Sequence, residues 1–485
     1  MTLEQLELTV DYFEFDKQFY QQLNATPLNN PFLISYNKKA FDLIGLDYDE
    51  ATKEAFVSFI NGEKILKGST PYAMAYAGHQ FGYFVPQLGD GRAINLGQTH
   101  GWHLQTKGSG LTRYSRQGDG RAVLRSSIRE YIISEAIHAL AIPTTRALAL
   151  IGSTHGVYRS FEEVETGAVV MRMSPSWIRF GTFEFFARQN DAKEHLKQLS
   201  NYVIKQSYSH LQNDKAKYEK MFFEVVDKTA HLMAYWQTYG FMHGVMNTDN
   251  MSIAGLTIDY GPFAFMDYFQ ADCICNHTDY EGRYSFSNQP YVARWNLEVL
   301  ANSMGKICRY GNLMEYLNTF MFTYKKKYWA LMSKRLGLDV NSSSNSYSSL
   351  IKQLLGAMES AKVDYNLFFY TLSTLESLED ITPILDSCVY RQSVQEWFLE
   401  YQKALKNENK TFHEAKAIMI KINPKYMIKN YMLQEAIEKA TAGDFSLVNE
   451  LLHIAQNPFD EHKAFEHYAK PTPMQFANLQ LSCSS

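Results

Sequence analysis

Two periodicities, one following the other, constrain this chain most. From Gln80 to Lys107 the pattern is strand-like, and Gly89-Asp90-Gly91 marks a tight turn. Ala93-Ile94-Asn95-Leu96 and the run from Trp102 to Lys107 keep a period of two, which predicts antiparallel strands of a small sheet. From Arg121 to Leu140 the period turns helical. Val123, Ile128, Ile132, Ala136 and Leu140 fall near one face, and Pro143 stops the helix. Ala168-Val169-Val170-Met171 is strand-like again, and beyond about residue 195 helical patterns dominate, interrupted by a loop-rich stretch at 243–292. The expectation is an α+β fold in two lobes, the first sheet-bearing and the second helical, with further helices over roughly 350–470. Residues 1–70 carry short apolar patches with turn signals at Pro27, Asn29, Asn30 and Pro31, and read as an N-terminal wrap of a helix and loops. The polar run 341–349 reads as a solvated loop.

Bulk properties narrow the function. A chain of 485 residues, 46% of them hydrophobic, supports a large core and more than one lobe. A net charge of -4 argues against nucleic-acid binding through bulk charge. The acidic start, MTLEQLELTVDYFEFDKQFY, lacks the features of a secretory or transit peptide. The most apolar stretch, Ile133 to Gly152, is broken by Glu135, Pro143, Thr144, Thr145 and Arg146, so no membrane span is expected. The cysteines Cys273, Cys275, Cys308, Cys388 and Cys483 form no CxxC pair, which predicts no disulfide framework and a cytoplasmic location.

The chemistry concentrates in HGVMNTDN, His243 to Asn250, followed nine residues later by Asp259-Tyr260-Gly261, with a strand-like Ile258 leading into Asp259. Laid on the protein-kinase catalytic loop, His243 meets the His and Asn250 meets the metal-binding Asn, while Asp259 takes the place of the D-F-G aspartate. An amide oxygen and a carboxylate suit a hard cation when phosphates complete the shell. The kinase base position, however, is Val245, which accepts no proton. Upstream, Lys107 ends a predicted strand, and Glu130 (or Glu135) follows on a predicted helix, in the order a Lys–Glu phosphate clamp requires. Gly108-Ser109-Gly110 and Gly118-Asp119-Gly120-Arg121 add a phosphate cradle, the latter expected to open the helix. Arg172 and Arg179, in MRMSPSWIRFG, offer guanidinium forks for phosphate oxygens.

The segments GHQFGYFVPQLGDGRAINLGQ, KGSGLTRYSRQGDGRAVLRSSIREYIISEAIHALAIPTTRAL, HGVMNTDNMSIAGLTIDYGPFAFMDYF and ICNHTDYEGRYSFSNQPYVARWNLEVLA closely resemble the selenoprotein O (YdiU-type) family, over about residues 70–300. That resemblance implies a protein-kinase-like fold divided at 1–70 (N-terminal extension), 71–190 (N-lobe), 191–335 (C-lobe) and 336–485 (helical C-terminal region). It also implies protein adenylyltransferase activity, with ATP bound flipped relative to a kinase and AMP passed to Ser, Thr or Tyr hydroxyls. Carried onto this sequence, Asp249 is the base, and Asn250 and Asp259 hold Mg²⁺ or Mn²⁺. Gly89, Gly91, Arg92, Lys107, Asp119, Gly120, Arg172 and Arg179 contact the nucleotide, and Glu130 pairs with Lys107. The family also implies a redox disulfide between Cys275 and Cys483. The implied partners are protein substrates, with neither nucleic acid nor membrane involved, and a monomer is expected. Three rivals stand beside this reading: a true kinase, which the missing base at Val245 opposes; a non-catalytic nucleotide-binding pseudokinase scaffold; and uridylyl transfer from UTP with Mn²⁺.

Overall fold

The computed structural model describes residues 1–159, 164–340, 347–476 and 479. Most of the run expected to be a loop at 341–349, and the redox-tail residue Cys483, lie outside the described residues. The fold is mixed α+β. Among the described residues, nine strands form one antiparallel sheet. They are β1 (Tyr20–Gln22), β2 (Pro31–Tyr36), β3 (Tyr72–Gln80), β4 (Tyr83–Gly89), β5 (Ala93–Thr99), β6 (Trp102–Lys107), β7 (Ala122–Val123), β8 (Arg146–Tyr158) and β9 (Val164–Ser174). The order is β1-β3-β5-β6-β9-β8-β2, with β4 paired to β3 and β7 to β9. A separate two-stranded ribbon joins β10 (Phe241–Met242) to β11 (Ala264–Phe265).

The alternation seen in the sequence is the sheet's two-sidedness. On β9, Val169, Met171 and Met173 face a core shared with Leu3, Phe41 and Phe56 of the N-terminal segment. Ala168 and Val170 face the opposite core, which includes Ile128, Ile132 and Ala136. The N-terminal segment therefore covers one face of the sheet with two helices, α1 (Lys38–Ile44) and α2 (Glu54–Asn61). It is more than the expected helix and loops, because β1 and β2 pair with β3 and β8. Each strand is too short and too evenly half-buried to show alternation.

On the other face lies α3 (Leu124–Ala139), the predicted helix, with twelve buried residues. Two sequence expectations are corrected here. Gly118–Arg121 does not open α3, because β7 intervenes and pairs with β9. Ile258, expected in a strand, is buried coil beside a single bridge between Thr144 and Thr257. Helices α4 (Phe180–Ala187), α5 (Ala192–Ser207), α6 (Lys217–Tyr239) and α7 (Gln289–Met304) follow the sheet. The later helices Asn430–Thr441 and Ser446–Gln456 return to pack on α3. No helix among the described residues is long and apolar enough to cross a membrane.

Candidate active site

A cleft of about 420 Å³ opens between the sheet and the helical part. Its lining brings together Gly89, Gly91, Arg92, Lys107, Asp119, Gly120, Arg172, Arg179, Asp249, Asn250 and Asp259, along with Val245. Residues from 89 to 259 converge because β6 and β9 are adjacent, and the loop after β10 passes under their ends.

The inner end is an ionic lattice. Lys107 Nζ lies 2.5 Å from Glu130 Oε2, so the helix α3 carboxylate reaches the end of β6. Arg172 Nη1 donates to Glu130 Oε1 and Asp259 Oδ1, each at 2.7 Å, and its Nη2 donates to Gln105. Arg179 Nη1 donates to Asp259 Oδ2 and, at 2.7 Å, to the Asp249 carbonyl. Aromatic faces hold both guanidinium planes: Trp177 lies under Arg172 at 4.6 Å and Tyr76 under Arg179 at 4.8 Å. Burial alone would raise the Asp259 carboxyl, but Arg179, Arg172 and Lys107 outweigh it and hold Asp259 well below the usual carboxylate range. Glu130 is held down in the same way, by Lys107 and Arg172 against its burial. Glu135, the other candidate on α3, is instead a structural partner of Arg146 at 2.7 Å. With Arg92 also on the wall, the cations exceed the carboxylates, and the cleft suits a polyanion.

Asp259 takes a backbone φ of 58°, in the left-handed region, which costs a non-glycine residue about 1 kcal/mol. The lattice holds it there. His243 supports the loop from below: it stacks on Trp236, and its Nε2 donates to the Ile258 carbonyl at 2.8 Å. Gly120 sits where a Cβ would fall 2.1 Å from the Gly110 carbonyl, with φ 70°, so this turn requires glycine. Asp119 lies at the cleft rim, accepting from the Arg121 backbone at 2.9 Å and from Arg159 at 3.2 Å.

Asp249 stands apart from the lattice. Burial pushes its carboxyl up to about 7, opposed by Arg179 and by Gln80. Gln80 Nε2 donates to Oδ2 at 3.3 Å, while the buried Oδ1 has no hydrogen-bond partner among the described residues. A carboxylate poised near neutrality at a cleft wall is suited to accepting a proton. The donor set also fits a hard cation. Asn250 commits its amide nitrogen to the Val245 carbonyl at 3.0 Å, which leaves the side-chain oxygen for ligation, and Asp259 adds a carboxylate.

Sequence reasoning missed the clasp that holds this loop. The end of β3 meets it residue by residue. His79 N–H donates to Thr248 Oγ1 at 2.7 Å, and Phe81 N–H donates to Asn247 Oδ1 at 3.2 Å and Tyr284 Oη at 3.0 Å. Gly78 packs so closely that a Cβ there would lie 2.5 Å from Asp249 Oδ1. The segment containing Gly78, His79 and Gln80 was visible as one of the quoted motifs, but nothing in its spacing names a partner 169 residues away. Cys275 Sγ donates to the Pro262 carbonyl at 2.7 Å, in the loop after Asp259.

The family model described as protein adenylyltransferase SelO matches residues 2–456. A Myxococcus xanthus protein named protein nucleotidyltransferase YdiU is 43% identical, over 100% of this chain and 100% of its own length. Proteins of the same name from Thiobacillus denitrificans and Thioalkalivibrio sulfidiphilus are each 42% identical over 100% of this chain, covering 100% and 99% of their own lengths.

Proposed function

The chain belongs to the SelO family of protein nucleotidyltransferases, and from that premise we propose that it transfers AMP from ATP to Ser, Thr or Tyr hydroxyls of proteins. The observation that carries this reading is the position of Asp249. The wall residue Val245, where a kinase would hold its base, is apolar, while a carboxyl poised at about 7 stands four residues on, beside Asn250. Lys107, Arg172 and Arg179 line the same cleft, and Arg179 reaches the Asp249 backbone. Such a layout favours ATP held with its γ-phosphate among the cations and its α-phosphorus toward Asp249, flipped relative to a kinase. Arg92, Gly89, Gly91, Asp119 and Gly120 line the remaining wall.

In this mechanism Asp249 takes the proton of the acceptor hydroxyl as its oxygen bonds to the α-phosphorus, and the bond to pyrophosphate breaks. Lys107 and Arg172 hold the leaving pyrophosphate, and Glu130 keeps Lys107 in place. Mg²⁺ or Mn²⁺ held by Asn250 and Asp259 would offset charge on the phosphates. The same reading takes the fold as protein-kinase-like, with a sheet-bearing lobe at 71–190 and a helical lobe at 191–335. The order Lys107, Glu130, Asn250, Asp259 supports it. It also has the enzyme act as a cytoplasmic monomer on proteins, without nucleic acid or membrane. The relatives' broader name keeps UTP as a second donor to be tested.

Incubation of a protein mixture with ATP labelled at the α- or the γ-phosphate tests the reading. Label is expected from the α position only, with Asp249→Asn reducing transfer by about 100-fold or more while nucleotide binding persists. Label from γ alone would identify a kinase, and none from either position a scaffold. Stronger transfer from α-labelled UTP would reassign the donor.

A further inference from the structure

Beside Lys107 lies a recess of about 10 Å³, space for a single oxygen-sized group. It shares Arg92, Lys107 and the pair Tyr260-Gly261 with the cleft, and the start of α3 supplies Ser126 and Ser127 to its wall. Ser126 donates its hydroxyl to the Val123 carbonyl at 3.2 Å. Ser127 is different: it is 2% exposed, and its hydroxyl has no hydrogen-bond partner among the described residues. Helical side chains lean toward the N-terminus, so this hydroxyl hangs over the first turn of α3.

That turn is electropositive. No side chain caps α3, and its first turn holds no acidic residue, so the 16-residue helix presents unpaired N–H groups and the positive end of its dipole. The one carboxylate on the recess wall, Glu130, is committed at both oxygens, Oε2 to Lys107 at 2.5 Å and Oε1 to Arg172 at 2.7 Å. Around it, the cations Arg92, Lys107, Arg172 and Arg179 outnumber the carboxylates Glu130 and Asp259. A buried hydroxyl without a partner weakens a fold, and alanine is the better helix former. Serine at this position therefore destabilises the bare protein, and an incoming acceptor is what its hydroxyl can satisfy.

We propose that the recess receives one oxygen of the terminal phosphate of a nucleoside triphosphate, which accepts from the Ser127 hydroxyl and rests on the start of α3. The recess then counts phosphates. With the α-phosphorus at Asp249, the γ-phosphate reaches Lys107 and the recess, while a diphosphate stops one phosphate short. After transfer the same place holds an oxygen of the leaving pyrophosphate. A nucleotide seated the other way round would carry its γ-phosphate away from the recess, and ATP and ADP would be read alike there. The proposal rests on the transfer reading above, and assigns its selectivity for triphosphates to Ser127.

The test measures binding apart from transfer. The full chain, as wild type and as Ser127→Ala, is titrated calorimetrically with three probes: ATP bearing a methylene bridge between its α- and β-phosphates, ADP, and inorganic pyrophosphate. The variant is expected to bind the bridged ATP and pyrophosphate about tenfold more weakly or worse, and ADP within about twofold of the wild type. Its thermal midpoint without nucleotide should equal or exceed that of the wild type, because a buried hydroxyl without a partner has gone. Ser127→Val, which fills the recess, should weaken the bridged ATP further. Equal affinity of wild type and Ser127→Ala for the bridged ATP would overturn the proposal, as would an equal loss for ADP. A lower midpoint with unchanged affinities would assign the hydroxyl to a bound water and overturn it too. Selective loss of the bridged ATP in a protein that transfers no label would leave the recess standing and overturn the transfer reading instead.

Discussion

At the scale of single residues, the site turns on which carboxylates are neutralised by cations and which are left to burial. Asp259 has two arginines and stays ionised, whereas Asp249 has one long hydrogen bond from Gln80 and is poised at about 7. Two aspartates ten positions apart are thus given opposite properties by their neighbours. The same logic predicts an effect far from the cleft. His103, on β6, is pushed down to about 4 by burial, against the pull of Asp11, and its Nε2 accepts from Gln206 at 2.9 Å. A histidine held neutral in the fold adds stability at pH above its unfolded value of 6.5. That stability is lost as pH falls from there toward 4, because the unfolded chain gains a proton that the folded chain refuses. His103→Gln keeps the amide contact and removes the titration. Between pH 7 and pH 5 the wild type should lose about 2 kcal/mol more than the variant. Thermal midpoints of both at the two pH values measure it, and parallel losses would contradict it.

At the scale of elements, the decisive piece is the clasp between the end of β3 and the loop that bears Asp249. It lies across the division between sheet and helices, so a side chain in the wrong place should move the base. Gly78→Val puts a branched side chain into the space of Asp249 Oδ1, and is expected to lower the transfer rate by about 10-fold to 100-fold while nucleotide affinity holds. An unchanged rate would show that the loop keeps its position without the clasp. The elements also show which signals a sequence carries. β5, β6 and α3 are buried on both sides yet were legible, because apolar residues recur at the element's period among polar ones: Ile94 and Leu96 with Asn95, Leu104 with His103 and Gln105, and Ile128, Ile132 and Ala136 with Arg129, Glu130 and Glu135. β8 was not, since it begins within the apolar run Ile133 to Gly152 and is buried on both faces, which erases alternation. In the site, Lys107, Asn250 and Asp259 were legible through ordered motifs. Gln80 and Asn247 were not, because their roles exist only once the topology sets β3 against the loop.

At the scale of the whole molecule, one apolar cluster runs from Tyr12 to Tyr468 and includes the inner face of the sheet, α3, and the last helices. The C-terminal part is bonded into the site's own supports. Arg129 of α3 donates to Asn430 Oδ1 at 2.9 Å, and Gln456 Nε2 donates to Asn37 Oδ1 at 2.7 Å and Glu135 Oε2 at 3.0 Å. A chain ended after Lys429 would bare the apolar back of the helix that carries Glu130. It is expected to lose the cooperative unfolding transition and the nucleotide-induced thermal shift together. A truncated chain that melts cooperatively with the shift intact would refute this.

The bond from Gln456 to Glu135 spans 321 residues of chain. At synthesis rates of about 5 to 20 residues per second, the helix under the site waits roughly 15 to 60 seconds for its last cover. Throughout that interval the nascent chain shows water an apolar face that only its own final helices can close. The hazard of aggregation therefore belongs to the making of this enzyme, before its final helices arrive, more than to its finished fold.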